Sequence, residues 1–458
     1  MKERVHIYHT NDIHSHLENW PRIHRFLKER KAAHEAEGED VFVFDCGDFV
    51  DRWHPFTEGT KGKGNVRLLN EAGYTAVTIG NNEGMTLDHR SLDELYDDAR
   101  FDVVLANLFL PEGNRPAWAL PRRMYTTSKG AKIGVTGVTA HYHRLYNLLD
   151  WELGEPLQAL SKQIDMLRHE ADVIIVLSHL GLQADQWIAE NEPAVDLILG
   201  GHTHHVLPSG EQAGEAILGA AGRYGEYVGY VSAEWEIGDV STKTFQAALF
   251  ETAYLAAPPD ETEQMHEWRE IGKKMLSAEV VSLPKPLTYS WDKRSELPAM
   301  LSEALYHWCG ADCALVNSGL FLSRLDEGPV TKYDIHRMLP HPINPCKVEL
   351  TGEELKEVLY QAERTHLPQL KFQGLGFRGV MMGKFIYHQI AADFQSDIIK
   401  IGGKPLDLEE TYEIATLDMF TFGKFFPQIQ HAKAKTYYLP EFLRDVMEWY
   451  LIRLYQMP

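Results

Sequence analysis

Five short stretches hold most of the residues able to do chemistry. They are Thr10-Asn11-Asp12-Ile13-His14-Ser15-His16, Asp45-Cys46-Gly47-Asp48, Gly80-Asn81-Asn82-Glu83, Ser178-His179-Leu180-Gly181 and Gly200-Gly201-His202-Thr203-His204-His205. Each follows an apolar run of strand type: Val5–His9, Val41–Phe44, Thr75–Ile79, Val173–Leu177 and Leu197–Leu199. In an open sheet, ligand sites form beyond the carboxyl ends of the strands. Imidazole and carboxylate together select Zn, Mn or Fe over Ca. A pair of such ions needs about eight ligand positions with one carboxylate shared, and clamps an in-line attack on phosphorus. Taken singly, each stretch is weak: a lone His after a strand is commonly a core or surface residue, and a lone Gly-Asp is a turn. The ordered set of all five is what points to a metal centre.

That set, as Asp12-Ile13-His14, Gly47-Asp48, Gly80-Asn81, Ser178-His179 and Gly201-His202-Thr203-His204, resembles the motifs of the calcineurin-like metallophosphoesterases. More narrowly, Thr10-Asn11-Asp12-Ile13-His14 resembles the two-domain 5'-nucleotidase family. So do the later segments Ala311-Asp312-Cys313-Ala314-Leu315-Val316-Asn317-Ser318-Gly319 and Val348-Glu349-Leu350-Thr351-Gly352-Glu353-Glu354-Leu355. The resemblance implies an α/β chain: a layered β-sandwich domain flanked by helices, then a C-terminal α+β domain that binds substrate. It implies two divalent ions (Zn, Mn or Fe). Asp12, His14, Asp48 and His204 would hold one, and Asp48, Asn81, His179 and His202 the other, with Asp48 as the bridge. A metal-activated water would be the nucleophile, its pKa lowered by the ions. His16 and His205 fall one step outside the pattern and are expected to support the ligands or face solvent.

The chain departs from the family at two places. Gly-Asn-His-Glu becomes Gly80-Asn81-Asn82-Glu83, and the aspartate that orients the family's histidine becomes Met85. Asn82 at the catalytic position can donate a hydrogen bond to a phosphate oxygen but cannot be a general acid at neutral pH. His54, His89, His141 and His143 are nearby substitutes in sequence. In the second half, Asn-x-Gly-Gly-Ile-Arg becomes Asn317-Ser318-Gly319-Leu320-Phe321-Leu322, so an anion-binding arginine is lost. Asn317 stays as a substrate-binding candidate, with Arg324 or Arg337 as replacement cations. The family's base-clamping aromatics fall at Leu370 and Met419, with Phe422 and Phe425 close by and Arg378 flanking them.

The elements that must position these residues alternate as strand and helix through the first half, the βαβ rhythm of a layered α/β domain. Helices are expected at Trp20–Glu37, Asn65–Ala72, Leu157–Glu170 and Gln183–Glu190, and an antiparallel edge at Tyr227–Ile237. Ala256-Ala257-Pro258-Pro259-Asp260-Glu261 reads as a linker. The expected division is 1–255 for the metal domain, 256–278 for linker and connecting helix, and 279–458 for the second domain. A net charge of −21 argues against a nucleic-acid polymer or an anionic membrane as partner. No apolar run approaches a membrane span and no secretory leader is recognised, so a cytoplasmic location is expected. Cys309 and Cys313 are spaced as on one helix face, and all 4 cysteines read as buried thiols. These features point to a dinuclear phosphohydrolase of nucleotides or related small phosphate esters. The alternatives are a metal-retaining nucleotide-binding or sensing protein with little turnover, or a phosphodiesterase or pyrophosphatase with a good leaving group.

Overall fold

The computed structural model describes residues 2–364 and 366–456. It divides into two compact units, Met1–Gly272 and Lys273–Pro458. The first is built on two sheets. In the seven-stranded sheet the order is Asp239–Glu251, Tyr227–Glu236, Lys2–Thr10, Asp40–Asp45, Ala76–Val77, Asp102–Val104 and Ala119–Leu120. The six-stranded sheet runs Glu211–Ala213, Ala216–Gly219, Leu197–Gly200, Val173–His179, Lys132–Thr139 and Arg122–Thr126. Strands at the centre of both sheets are parallel, and Tyr227–Glu236 pairs antiparallel with Lys2–Thr10.

Side chains alternate across each strand, so a strand between two apolar layers must be apolar throughout. Val173-Ile174-Ile175-Val176-Leu177 meets that demand. Ile175 and Leu177 join Val5, Ile7, Phe44, Val135 and Leu199 in the core between the sheets. Ile174 and Val176 pack outward with Leu160, Ile164 and Ile188 of the helices Pro156–Leu167 and Leu182–Asn191.

The first unit extends beyond the Ala256–Glu261 segment. The helix Glu261–Met275 follows it, and Trp268 on that helix is buried with its ring 6.5 Å from Phe56. Gly272 lies so close to Pro55 that a Cβ there would meet the Pro55 carbonyl carbon at 2.3 Å. Arg22 Nε donates to Glu261 Oε1 at 2.6 Å. The acidic, proline-rich composition marks an exposed turn, but one buried tryptophan anchors the helix that follows to the first unit.

The second unit centres on a five-stranded mixed sheet, ordered Phe385–His388, Cys313–Asn317, Thr411–Leu417, Pro345–Thr351 and Lys435–Tyr437. Glu296–Cys309, Gly352–Ala362 and Leu443–Tyr455 are its main helices. Thr351 caps the second: its hydroxyl accepts from Glu354 N, and Glu354 returns a carboxylate oxygen to Thr351 N. One local expectation changes. Cys309 ends a helix and Cys313 opens a strand, because Gly310 turns left-handed between them (φ 59°). All 4 thiols are nevertheless buried and free. Gln389 (φ 57°) separates Phe385–His388 from Ile390–Asp393, which belong to different sheets. The closing helix starts at Leu443, with Asp445 accepting from Phe442 N at 2.7 Å. Among the described residues, no helix is long and apolar enough to cross a membrane.

Candidate metal centre

The parallel strands of both sheets deliver their carboxyl ends to one place. From the seven-stranded sheet come Asp12 and His14, then Asp48, then Asn81; from the six-stranded sheet come His179, then His202 and His204. Asp12, His14, Asp48, His202 and His204 all have left-handed backbones, with φ of 51°, 49°, 54°, 72° and 58°. Such conformations cost non-glycine residues ~1–3 kcal/mol each and persist where a site requires them. Close approach of the loops sets the glycines. A Cβ on Gly80 would lie 2.0 Å from Asp48 Oδ1, and one on Gly47 would lie 2.3 Å from Gly80 N.

Two groups of donor atoms result: Asp12, His14 and His204, and Asp12, Asp48 and His179. In the first, His204 Nε2 and His14 Nε2 stand 3.3 and 3.7 Å from Asp12 Oδ1 and 3.3 Å from each other. Asp48 faces both groups. Its Oδ2 is 3.6 Å from His14 Nε2 and its Oδ1 is 3.5 Å from His179 Nε2. Asn81 Oδ1 and His202 Nδ1 pair at 2.9 Å, and the His202 ring centroid is 5.2 Å from that of His179. Asn81 and His202 therefore adjoin the His179 group, in contact with each other.

These residues fit a cation. Asp12, Asp48 and His179 are buried, yet His179 Nε2 has no hydrogen-bond partner among the described residues. Its Nδ1 donates to Cys46 O at 2.7 Å, which leaves Nε2 facing Asp48. Burial opposes charge on His179, but the Asp48 carboxylate overrides it and lifts the imidazole to about 10. Burial likewise opposes charge on Asp48, and His179 and His14 hold it well below the usual carboxylate range. The pocket thus stabilises positive charge among paired carboxylates, a demand that a divalent ion meets in place of a proton.

Supporting residues complete the site, and the roles of Asp51 and Glu83 went unread in the sequence. Asp51, fully buried, lies with Oδ2 3.2 Å from His14 Nδ1. Asn82 points into the same network. Its amide nitrogen is 2.7 Å from His14 Nδ1 and 3.3 Å from Asp51 Oδ2, and its backbone N donates to Asp48 Oδ1. The side chain expected to reach a phosphate oxygen instead contacts the back of a candidate ligand. A cation on His14 Nε2 requires the tautomer that carries its proton on Nδ1, where it can go to Asp51 Oδ2 at 3.2 Å; in that tautomer the Asn82 amide must turn its oxygen, not its nitrogen, toward the ring. Glu83 clamps the loops by accepting from the backbone N–H groups of Asp48, Val50 and Gly80 at 3.0, 2.8 and 2.9 Å. Burial first and Asp48 second push its carboxyl up to about 7. The Glu three residues past a helix-opening Gly was a legible capping signal; nothing in the sequence marked Asp51.

Two of the substitute histidines are engaged elsewhere. His54 caps the helix Pro55–Thr60, His89 stacks on Trp151 at 4.2 Å, and His141 and His143 are exposed. His16 packs against Tyr224 at 3.8 Å, and His205 bonds Thr203. In the second unit, buried Asn317 donates to Met382 O at 2.7 Å, while its Oδ1 has no partner among the described residues. Arg378 N donates to Nδ1 of buried His341, whose Nε2–H goes to Leu320 O. Arg324 and Arg337 are exposed beside Asp326 and Asp334. Phe422 stacks on Tyr437 at 5.8 Å. Phe425 is buried edge-on against Phe372 and Phe420. Met419 is also buried, and Leu370 is exposed.

Residues 5–206 match the calcineurin-like phosphoesterase family, and residues 279–428 match the 5'-nucleotidase C-terminal domain. An uncharacterised metallophosphoesterase of Bacillus subtilis, YunD, is 42% identical over 98% of this chain and 100% of its own length. The chain belongs to the two-domain 5'-nucleotidase family of calcineurin-like metallophosphoesterases. Its fold is that of a putative 5'-nucleotidase from Staphylococcus aureus (TM-score 0.70, 15% identity, 98% of this chain and 96% of that one). The NAD nucleotidase of Haemophilus influenzae shares it too (TM-score 0.68, 14% identity, 99% and 97%). As a member of this metallophosphoesterase family, the protein is a metal-dependent phosphoester hydrolase.

Proposed function

We propose that the protein is a dinuclear phosphohydrolase acting on nucleotides or related small phosphate esters. The observation that carries this reading is Asp48, whose two carboxylate oxygens face separate donor groups at 3.6 and 3.5 Å. Asp12, His14 and His204 complete one group; His179, Asn81 and His202 complete the other. Bound there, divalent ions of the Zn, Mn or Fe class would supply charge neutralisation and an activated water. The chain's own residues do the remaining work. His179 is kept in one tautomer by Cys46 O, and His14 is oriented by Asp51. Glu83 holds the loops that carry Asp48 and Asn81 in register. On the second unit, Asn317, Arg378 and Phe422 are the proposed substrate contacts.

Position 82 supplies no proton to the leaving group, because its amide lies against His14 and Asp51. This favours a second reading within the same chemistry: phosphoanhydrides and activated esters, whose leaving groups depart without protonation, as preferred substrates. A sensing protein with little turnover is the remaining alternative. The deciding experiment is Asp48→Asn. It should lower metal content and abolish phosphate release from a nucleotide panel while the melting profile persists. Wild-type metal content and turnover in that variant would remove the basis of the proposal.

A further inference from the structure

A third group of donor atoms lies apart from this centre. His6 sits mid-strand in Lys2–Thr10, His34 in the last turn of the helix Trp20–Ala36, and Glu39 just before the strand Asp40–Asp45. The turn between helix and strand sets their spacing: Gly38 is left-handed (φ 73°), and Glu39 N donates back to His34 O at 3.0 Å. Parallel pairing places His6 opposite Val41, two residues after Glu39. The imidazoles stack with ring centroids 3.5 Å apart. Glu39 Oε2 is 2.7 Å from His6 Nε2 and 3.8 Å from His34 Nδ1.

Each imidazole is oriented by a phenol. Tyr230 Oη lies 2.8 Å from His6 Nδ1, and Tyr8 Oη lies 2.9 Å from His34 Nε2. A ligating histidine characteristically donates its other ring N–H to a fixed acceptor, which sets the tautomer and aims the free lone pair. With both phenols accepting, the nitrogens left over are His6 Nε2 and His34 Nδ1, the two that face one carboxylate oxygen. Arg4 stands 3.9 Å from the other oxygen, Oε1, and so leaves Oε2 for the histidines. His6 is buried, and His34 and Glu39 are partly exposed. His6 also lines a cleft of about 430 Å³ with Arg4, Tyr230 and Glu234. We infer that His6, His34 and Glu39 form an additional metal site for a zinc-class divalent ion, separate from the catalytic centre. Two imidazoles and a carboxylate are the donor set of tetrahedral zinc with one open position. Such an ion would clamp the first strand, whose end carries Asp12 and His14, to the helix that follows it.

The test is a titration of the full-length protein, stripped of metal, with Zn²⁺, followed by Co²⁺ absorption as a coordination signature. Wild type should bind one equivalent more than His34→Ala and Glu39→Gln. Zn²⁺ occupancy should raise its melting temperature above that of either variant. Both variants, reloaded, should keep wild-type phosphate release, since neither residue touches the catalytic centre. Equal stoichiometry and equal Co²⁺ spectra in wild type and Glu39→Gln, the isosteric change, would overturn the proposal. So would binding in which the lost equivalent takes phosphate release with it.

Discussion

Replacing Asp51 by asparagine tests whether the centre depends on a residue behind its ligands. Asp51 is fully buried; its Oδ2 is 3.2 Å from His14 Nδ1 and its Oδ1 accepts from Trp53 N at 3.2 Å. Asparagine keeps this shape and can still accept from His14. It removes the negative charge that makes His14 Nε2 a better donor to a cation. Changes to such carboxylate–histidine contacts cost ~10–100-fold in metal affinity or activity. That range corresponds to ~1.4–2.8 kcal/mol, since every 1.4 kcal/mol is tenfold. The loss should fall on the Asp12, His14 and His204 group and spare the His179 group, whose imidazole is set by Cys46 O at 2.7 Å. Dialysis against graded chelator, with metal analysis at each step, should show one ion leaving earlier than in wild type and the other unchanged. Hydrolysis of nitrophenyl phosphate should recover on adding excess metal. A chelation curve that superimposes on wild type would refute the reasoning. An equal weakening of both groups would instead place the role of Asp51 in holding the loop through Trp53.

Adding the family's missing pair, Asn82→His with Met85→Asp, should raise kcat/KM for a nucleoside monophosphate relative to nitrophenyl phosphate, within the ~10²–10⁴ range of general-acid effects. An unchanged ratio would mean that the leaving group never needed the proton. Trp268→Ala should destabilise the first unit by ~3–5 kcal/mol in urea unfolding, as for other buried aromatic truncations; a loss within measurement error would put the helix Glu261–Met275 outside that unit. Burial pushes Asp185 up to about 7 despite the hydrogen bond from Ser178. Its unfolded value is lower, so ionising it costs folding energy that is absent in acid and builds as pH rises through 4 to 7, at ~1.4 kcal/mol per unit of displacement. Asp185→Asn should therefore stabilise the protein by a few kcal/mol at pH 8 and by almost nothing at pH 4. A gain that does not vary with pH would refute this account.

The five strand-end motifs, the βαβ rhythm and the ordered ligand types were legible in the chain because they are local. A strand buried on both faces must be apolar throughout, as Val173–Leu177 is, and the polar residues that follow it must lie at its end. Asp12, His14, Asp48, His179 and His204 could be named from that logic and from the family resemblance. What stayed hidden depended on which loops meet. Asp51 orients His14 only because the Asp48–Asp51 loop folds back beneath Asp12–His14, a contact across 37 positions. Asn82 turned out to contact His14 because its helix begins against Asp48, and Phe425 joined the core because Phe372 and Phe420 close around it. The helix after the proline pair packs on the first unit through Trp268, Gly272 and Glu261, against the exposed character of its composition. His6, His34 and Glu39 carried no motif at all: strand pairing and one left-handed glycine bring them together. Short-range patterning determines elements and their ends, whereas a side chain's partners follow from the pairing and packing of segments far apart in the chain.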